Sequence, residues 1–261
     1  MSEDSKTPAL EMNDADVVAM KDTTLTVVEG VNWTVLPGEF WVVGGQEYSG
    51  KSDLLMLAAG LIAPGRGNCR IFGTETSRFG EAEVPERLRV GFVFEGGQLF
   101  NQLTVAENIA LPLRYQKDLT LAEALSEMQP LMDLMELAPL ADVTPPNVAT
   151  NWRQRASLAR ALVLKPELLL LDNPQGGLAR RHLHWWLRFL DQLWHGHEWF
   201  GGKPMTIVAT ADDLRPWKSD ARKFSLLRDK KFLPLGSWND VGASSDPIVK
   251  ELLAGTVEAI I

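Results

Sequence analysis

The chain has 261 residues, of which 45% are hydrophobic and 23% are charged, and its formal net charge is −8. This composition predicts a globular protein with a full hydrophobic core, in one domain or in one domain with an inserted subdomain. The acidic balance argues against broad binding to nucleic acids, so we predict no nucleic-acid partner, and the single cysteine, Cys69, rules out an internal disulfide.

The N-terminal stretch is acidic and polar, and we predict a flexible segment at residues 1–13. It lacks the basic region followed by an apolar region that marks a secretory signal. We also find no apolar run long enough to span a bilayer. The sequence therefore predicts a cytoplasmic protein, which would work at a membrane only by docking on another protein.

The first part of the chain alternates predicted strands with one short helix. Residues 16–45 are rich in β-branched side chains and are broken by Gly30 and Gly38, which predicts several strands. Apolar residues then recur at helical spacing in 51–62. Two further strands are predicted at 67–73 and 89–95.

The rest of the chain adds a helical block and then returns to strands. Between about 96 and 162 the pattern is mainly helical, and Thr120 with Glu123 has the spacing of a capping box. The apolar run ELLLLDNP at 167–174 is typical of a buried parallel strand. The remaining predicted elements are a helix at 178–196, a strand at 204–212, a hairpin at 223–236 and a helix at 246–255. Strands that alternate with helices predict an α/β fold with a mostly parallel sheet.

The stretch GGQEYSGKS at 44–52 has the spacing of a phosphate-binding loop, with Gly45, four residues, and then Gly50-Lys51-Ser52. In such a loop the backbone N–H groups and the following helix N-terminus hold phosphate, and the lysine reaches the β- and γ-phosphates. The serine hydroxyl binds Mg²⁺. Asp172, at the tip of an apolar strand, is the second predicted metal ligand.

These two elements predict a nucleotide site with ATP and Mg²⁺ as ligands. The predicted nucleotide-binding residues are Gly45, Ser49, Gly50, Lys51, Ser52 and Asp53. The predicted metal ligands are Ser52 and Asp172.

Tryptophans and histidines are concentrated in and after the helix predicted at 178–196. We interpret the tryptophans mainly as core residues, with cover for an interface as the alternative; they are Trp185, Trp186, Trp194 and Trp199. His182 and His184 fall on different faces of a helix, so we expect a solvated or interface face rather than a metal site.

Along residues 14 to 255 the chain resembles the ATP-binding subunits of ABC transporters. The resemblance rests on an opening stretch at 31–73, a mid-region at 90–113, and a signature helix with an acidic strand at 153–174. It implies the P-loop NTPase fold of the ABC ATPase type, with an antiparallel β region and an inserted helical subdomain. We expect a single domain at 14–261, with a nucleotide-binding core at 14–95 and 163–261 and a helical subdomain at 96–162.

The resemblance also implies partners and a location. They are a transmembrane permease docked near residues 98–135, a second copy or another ABC ATPase as dimer partner, and a peripheral position on the inner face of the membrane. The stretches GGQLFNQLTVAENIALPL and DPIVKELLAG are most similar to the ATPases of MCE-type lipid transporters, the maintenance-of-lipid-asymmetry group.

The phosphate loop departs from the pattern of this family. Glu47 and Tyr48 stand where members usually carry a polar or small residue and a glycine, and Asp53 stands where a threonine is usual. A carboxylate repels phosphate, and tyrosine disfavours the positive φ that glycine adopts freely. The alternative is that each side chain turns into solvent and leaves the loop intact.

The catalytic positions depart as well. Glu95 replaces the glutamine that contacts Mg²⁺, Asn173 replaces the glutamate that acts as general base, and Ala211 replaces the histidine that contacts the γ-phosphate. An amide cannot usefully accept a proton near pH 7. These are degenerate positions, and we assign no catalytic residue.

Three further stretches lack family features. VATNW at 148–152 replaces the signature LSGGQ, whose serine and glycines hold the γ-phosphate of the opposite subunit; here Ala149 has no hydroxyl, Asn151 replaces a glycine and Trp152 is bulky. The next loop ends at Ala179 instead of the usual aspartate. The segment LTVVEGVNW is short, which predicts that the loop carrying an aromatic ring for adenine is missing.

The resemblance and the departures together leave three hypotheses. The first is a pseudo-ATPase subunit of an MCE-like lipid transporter, with a structural or regulatory role. The second is a working ATPase in which other groups position the attacking water. The third is a soluble ABC-fold interaction protein without a membrane partner. In a homodimer both sites would lack the base and the signature, whereas in a heterodimer each site would lack one of them.

Overall fold

The computed structural model describes residues 7–78 and 84–254. The strands are β1 (Leu10–Ala19), β2 (Asp22–Val35), β3 (Phe40–Gly45), β4 (Arg66–Ile71), β5 (Thr74–Glu75), β6 (Val90–Val93), β7 (Leu168–Leu171), β8 (Thr206–Ala211), β9 (Lys223–Arg228) and β10 (Lys231–Gly236). The α-helices are α1 (Lys51–Ala58), α2 (Val84–Leu88), α3 (Val105–Lys117), α4 (Leu121–Leu134), α5 (Thr150–Leu162), α6 (Arg180–His195), α7 (Trp238–Ala243) and α8 (Pro247–Ala254).

The main sheet has six strands in the order β10-β9-β3-β8-β7-β6. All neighbouring pairs are parallel except the β9–β10 hairpin. Strands β3, β7 and β8 are buried along their whole length, as their apolar sequences predict for the centre of a parallel sheet. The order brings the carboxyl ends of β3, β8, β7 and β6 to one edge. The predicted α/β class and mostly parallel sheet are confirmed.

A second, antiparallel sheet has the order β2-β1-β4-β5. Its first strand corrects the prediction that residues 1–13 are flexible, because β1 begins at Leu10 and both Leu10 and Met12 are buried. These two residues alternate with polar neighbours, so one face of the strand packs on the core while the other faces outward. Residues 1–6 of that predicted segment lie outside the described residues.

The β1–β2 hairpin contains the segment LTVVEGVNW, which is predicted to be short and to lack the loop with an aromatic ring for adenine. The hairpin is long and pairs from Leu10 with Val35 to Ala19 with Asp22. Near its tip stand two exposed apolar residues, Met20 and Leu25. The hairpin is therefore present, and the tip between Ala19 and Leu25 carries no aromatic ring.

The helical block between β6 and β7 contains α3, α4 and α5. Capping boxes start α3 and α4, with Thr104 paired to Glu107 and Thr120 paired to Glu123 as the sequence predicts for α4. Buried Asn108 holds the turn before α3, because its side-chain amide donates to the carbonyls of three residues between 100 and 104. The mainly helical interpretation of this region is confirmed.

The core forms two clusters, one on each face of the main sheet. Along β3, Val42 belongs to the cluster beneath the helices, whereas Val43 belongs to the cluster beneath the antiparallel sheet and α1. This alternation follows from the two-residue period of a strand. Trp186 is buried and Trp185, Trp194 and Trp199 pack on the first cluster, as the core interpretation expects. In the described part of the chain, no helix is both long and apolar enough to traverse a bilayer.

Candidate functional site

The phosphate loop joins the end of β3 to the start of α1. Gly45 allows a close approach, since a Cβ there would lie 2.5 Å from the Ser49 hydroxyl oxygen. Gly50 caps α1 with a φ of 91°, a left-handed conformation that favours glycine, and no side chain caps the helix. The backbone N–H groups of this turn are therefore available to an anion.

Tyr48 sits on the outer side of the loop and is fully exposed. Its φ is 61°, so the loop holds a bulky residue in the left-handed region at some conformational cost. The ring turns into solvent rather than into the loop, which matches the alternative considered from the sequence. Tyr48 and Glu47 line the outer wall of a cavity of ≈ 580 Å³ above the loop.

Lys51 turns its ammonium back onto its own loop. Nζ donates hydrogen bonds to the carbonyl oxygens of Gly45 and Gln46, each at 2.6 Å. Burial lowers the pKa of Lys51, and the nearby carboxylates of Asp212, Asp172, Glu95 and Glu47 oppose this change by stabilising the charged form. The loop thus presents one ammonium, surrounded by carboxylates, at the end where phosphates would lie.

Asp172 stands at the carboxyl end of β7, where its Oδ1 accepts a hydrogen bond from Thr210 Oγ1 at 2.9 Å. The same threonine oxygen accepts from the backbone N–H of Asn173, also at 2.9 Å. Thr210 on β8 therefore orients the carboxylate, a role that the sequence did not indicate. Ser52 and Asp172 line the same cavity, as predicted.

These two residues fit a Mg²⁺ ion that arrives with a nucleotide. Residues 7–78 and 84–254 contain no cluster of three or more histidine, cysteine or carboxylate side chains placed to hold a metal. Ser52 and Asp172 would supply only part of the coordination shell, and phosphate and water oxygens would complete it, which is the usual arrangement for Mg²⁺.

Asn173 is the centre of a network that connects three strand ends. Its Nδ2 donates to Glu95 Oε1 at 2.7 Å and to Asp212 Oδ2 at 3.3 Å. Its Oδ1 is buried without a hydrogen-bond partner among the described residues. Gln175 adds a second amide, which donates to Asp212 Oδ1 at 3.2 Å and to the carbonyl of Asp213 at 2.8 Å.

The sequence motifs do not indicate Asp212, Asp213 or Gln175 as members of this network. Asp212 follows β8 directly, and its position at the carboxyl end of a buried strand is the signal that would have found it. It lines the cavity together with Lys51 and Asn173.

Asp53 accepts a hydrogen bond from the protein backbone, and its part in nucleotide binding stays a prediction. Its Oδ1 accepts a hydrogen bond from the backbone N–H of Met20 at 2.9 Å, so the carboxylate fastens the hairpin tip to the first turn of α1. It lies at the margin of the cavity. Ala211 is fully buried and is absent from the cavity wall, and it offers no polar side chain.

The stretch VATNW lies outside the wall of this cavity. Ala149 precedes α5 without a side-chain cap. Within α5, Arg155 is buried with its guanidinium over two rings, 3.7 Å from the Trp185 ring centre and 4.5 Å from that of Trp152. Trp152 is thus part of a stacked cluster between α5 and α6.

Two histidines have local structural roles. His182 Nδ1 lies 3.4 Å from Asn151 Nδ2, and burial followed by the charges of Arg181 and Arg155 lowers the pKa of His182. His197 Nδ1 accepts from the backbone N–H of Trp199 at 3.1 Å.

A separate apolar groove of ≈ 920 Å³ lies between β6, the turn after it and α3. Phe100 and Tyr115 on its rim are 57% and 82% exposed, which is unusual for large rings without a partner. Arg160 closes the floor by donating to the Gln98 carbonyl at 2.7 Å. Most of the residues that line the groove fall inside the region 98–135 for which docking is predicted, and the others come from β6, the residue after it and α5.

The amino-acid sequence of this chain is similar to those of a known protein family. The family model described as ABC transporter matches residues 28–176. The sulfate/thiosulfate import ATP-binding protein CysA of Synechococcus elongatus is 40% identical over 180 residues, covering 68% of this chain and 48% of the relative. The ABC transporter ATP-binding protein YtrE of Bacillus subtilis is 34% identical over 180 residues, covering 68% of this chain and 74% of the relative.

The fold agrees with this assignment. The dimeric ATP-binding cassette MJ0796, solved in a post-hydrolysis state bound to ADP and Pi, superposes with a TM-score of 0.72 at 25% identity, covering 85% of this chain and 95% of that one. The chain spans about half the length of the CysA relatives that it matches. The family match over the phosphate loop, the helical block and Asp172 shows that the chain belongs to the ABC transporter family.

Proposed function

We propose that this chain is the nucleotide-binding subunit of a membrane transporter, and that it hydrolyses ATP weakly or not at all and has a structural or regulatory role. The observation that carries the proposal is the amide side chain of Asn173 and its hydrogen bonds. Its amide stands where the family places the proton acceptor, and its N–H₂ group is already bonded to two carboxylates. A neutral amide in this position does not take a proton from water.

Nucleotide binding is proposed because the parts of the loop that hold phosphate are retained. They are the left-handed Gly50, the uncapped start of α1, the ammonium of Lys51, and the hydroxyl of Ser52 across from Asp172. Mg²⁺ bound with the nucleotide would polarise the phosphates, and Asp172, oriented by Thr210, would hold the ion.

The proposed partner is a transmembrane permease that docks in the apolar groove and keeps the chain at the inner face of the membrane. The groove is large, apolar and rimmed by the exposed rings of Phe100 and Tyr115. A dimer with a second copy or with another ABC ATPase is part of the same proposal. MJ0796, which shares the fold, is described as dimeric.

The proposed cargo is a lipid. The proposal rests on the stretches at 96–113 and 246–255, which resemble the ATPases of MCE-type lipid transporters. Several relatives are named for sulfate and thiosulfate import, and that cargo is the alternative.

An active ATPase is the second candidate function. It is favoured by Lys51 and Asp172, which line one cavity as hydrolysis would require, and by relatives that are named ATP-binding import proteins. A third possibility, a soluble interaction protein, predicts no association with membranes.

Binding and turnover of Mg–ATP, measured on the full chain beside Lys51→Ala, separate the first two candidates. We expect saturable binding in calorimetry that Lys51→Ala abolishes, and phosphate release no faster than that of the variant. Turnover that Lys51→Ala removes would establish the active ATPase instead. Turnover that is equal in both proteins would come from a contaminant.

Docking is tested by co-sedimentation with membranes that contain the native partners. We expect Phe100→Asp and Tyr115→Asp to release the chain from the membrane fraction. Leu61→Asp is the matched control, because Leu61 is also an exposed apolar residue but lies outside the groove. A wild-type chain that stays in the supernatant would support the soluble interaction protein.

A further inference from the structure

We infer that the nucleotide pocket selects a nucleoside diphosphate over a nucleoside triphosphate. The inference rests on the proposed nucleotide binding and concerns the end of the pocket that would receive the γ-phosphate. The cavity above the loop provides the phosphate-holding groups near α1, and its far wall consists of Glu95, Asp172, Asn173 and Asp212.

The charged side chains of this far wall are all carboxylates and therefore negative. Lys51 is the ammonium that reaches the β- and γ-phosphates in a loop of this type. Here it faces the carboxylates of Asp212, Asp172 and Glu95, with Glu47 on the loop itself. A Mg²⁺ ion bound by Asp172 would offset the negative charge of that carboxylate. Glu95 and Asp212 have no cationic partner among the hydrogen bonds of the described residues.

The amide N–H donors of Asn173 and Gln175 at this end of the pocket already bond to groups of the protein. Asn173 Nδ2 donates to Glu95 and Asp212, and Gln175 Nε2 donates to Asp212 and a carbonyl. The free atom of Asn173 is its buried Oδ1, which is an acceptor. A terminal phosphate placed here would meet the carboxylate oxygens of Glu95 and Asp212 where it requires N–H or O–H groups.

The α- and β-phosphates meet a different environment. The backbone N–H groups around Gly50 and the start of α1 face them, and they need nothing from Glu95 or Asp212. A triphosphate adds about one negative charge at the acidic end, and the accompanying Mg²⁺ is common to both nucleotides. Solvent screens part of the repulsion, because Glu95 and Asp212 are exposed, and we expect roughly a tenfold preference for the diphosphate.

Calorimetry on the full chain tests the inference with three ligands in excess Mg²⁺: ADP, ATP, and an ATP analogue with a methylene bridge between the β- and γ-phosphates. We expect ADP to bind roughly ten times more tightly than either triphosphate. In Glu95→Gln the triphosphates should bind several times more tightly while ADP changes little. The Asn173 amide can still donate to a glutamine oxygen, so this variant keeps the local structure.

Glu198→Gln is the matched control, since it removes the same charge from an exposed residue outside the cavity. It should leave the ratio of affinities unchanged. A triphosphate that binds as tightly as ADP, or a Glu95→Gln effect equal for all three ligands, would overturn the inference while nucleotide binding stands. Absence of binding by any nucleotide would overturn the proposed nucleotide-binding function itself.

Discussion

The backbone conformation at position 173 and the neighbours of its side chain both favour asparagine over glutamate. Its φ is 40°, in the left-handed region that asparagine tolerates better than longer side chains. Its amide bridges two carboxylates, Glu95 and Asp212, which lie on the ends of neighbouring strands. A carboxylate in the same place would face both of them without a proton to donate.

We therefore expect Asn173→Glu to lower the free energy of unfolding by about 2 kcal/mol, through like-charge repulsion and backbone strain together. Restoring the glutamate should also not restore hydrolysis. Urea unfolding at neutral pH measures the first effect, and phosphate release measures the second.

Two further variants separate charge from strain at this position. Asn173→Gln adds length without charge, and we expect it to cost roughly 1 kcal/mol. The double variant Glu95→Gln with Asn173→Glu removes one of the facing charges and should be more stable than Asn173→Glu alone. Equal stability of the single and double variants would refute the repulsion between residues 95 and 173.

At the scale of elements, one stacked cluster joins α5 to α6 and to the turn after α4. Arg155 lies between the rings of Trp152 and Trp185 and donates to Glu136 Oε2 at 2.8 Å. Arg155 is 4% exposed, whereas the Glu136 side chain is 59% exposed. The stacking is thus buried, while only the Glu136 end of the ion pair is open to solvent, which weakens the pair by screening.

Arg155→Ala should consequently destabilise the protein by about 2 kcal/mol, because it removes the cation–π contacts and the packing of a long side chain. Glu136→Gln, which removes only the charge of the ion-pair partner, should cost less than about 0.5 kcal/mol. Both are read from thermal unfolding, and an equal loss in the two variants would show that the ion pair dominates.

At the scale of the whole molecule, the two sheets share a core around Cys69 on β4. Its Sγ donates to the Leu57 carbonyl of α1 at 3.6 Å, and burial raises the pKa of the thiol to about 12. The thiol is inert in the folded protein for both reasons, because reagents require access and a thiolate.

Alkylation of Cys69 at pH 8 should report opening of the shared core. We expect labelling of the native chain to be roughly a thousandfold slower than that of the urea-unfolded chain. The control carries Cys69→Ala with Ser77→Cys, which moves the thiol to an exposed position, and it should react at once without denaturant. Rapid labelling of native Cys69 would mean that the two sheets separate readily.

Much of this architecture could be predicted because its signals are local. The strand, loop and helix around Lys51 follow from the motif spacing, and the β9–β10 hairpin follows from turn residues between apolar runs. The start of β1 is not predicted, because Leu10 and Met12 are separated by the charged Glu11 and follow an acidic stretch. Two buried residues are too short a pattern to distinguish a strand from a polar terminus.

Only some members of the site could be predicted: Thr210, Asp212 and Gln175 could not, and neither could the hydrogen bonds that join them to the others. The motif spacing indicates Lys51, the tip of an apolar strand indicates Asp172, and the resemblance to the family indicates Asn173. The bonds of Asn173 join residues 78 and 39 positions apart, and they depend on β7 lying between β6 and β8. Strand order is a property of the folded sheet, so the partnership of Asn173 with Glu95 and Asp212 could not be derived from the linear sequence.

The hydrogen bond between Asn173 and Glu95 also restricts the order in which point substitutions could place a glutamate at position 173. Changing position 173 first passes through a form with three facing carboxylates, which selection for a folded protein disfavours. Changing Glu95 to glutamine first keeps a side-chain oxygen that accepts from the Asn173 amide. A glutamate at position 173 would then face one carboxylate fewer. A glutamate at position 173 is therefore easier to introduce when the substitution at position 95, after the neighbouring strand β6, comes first.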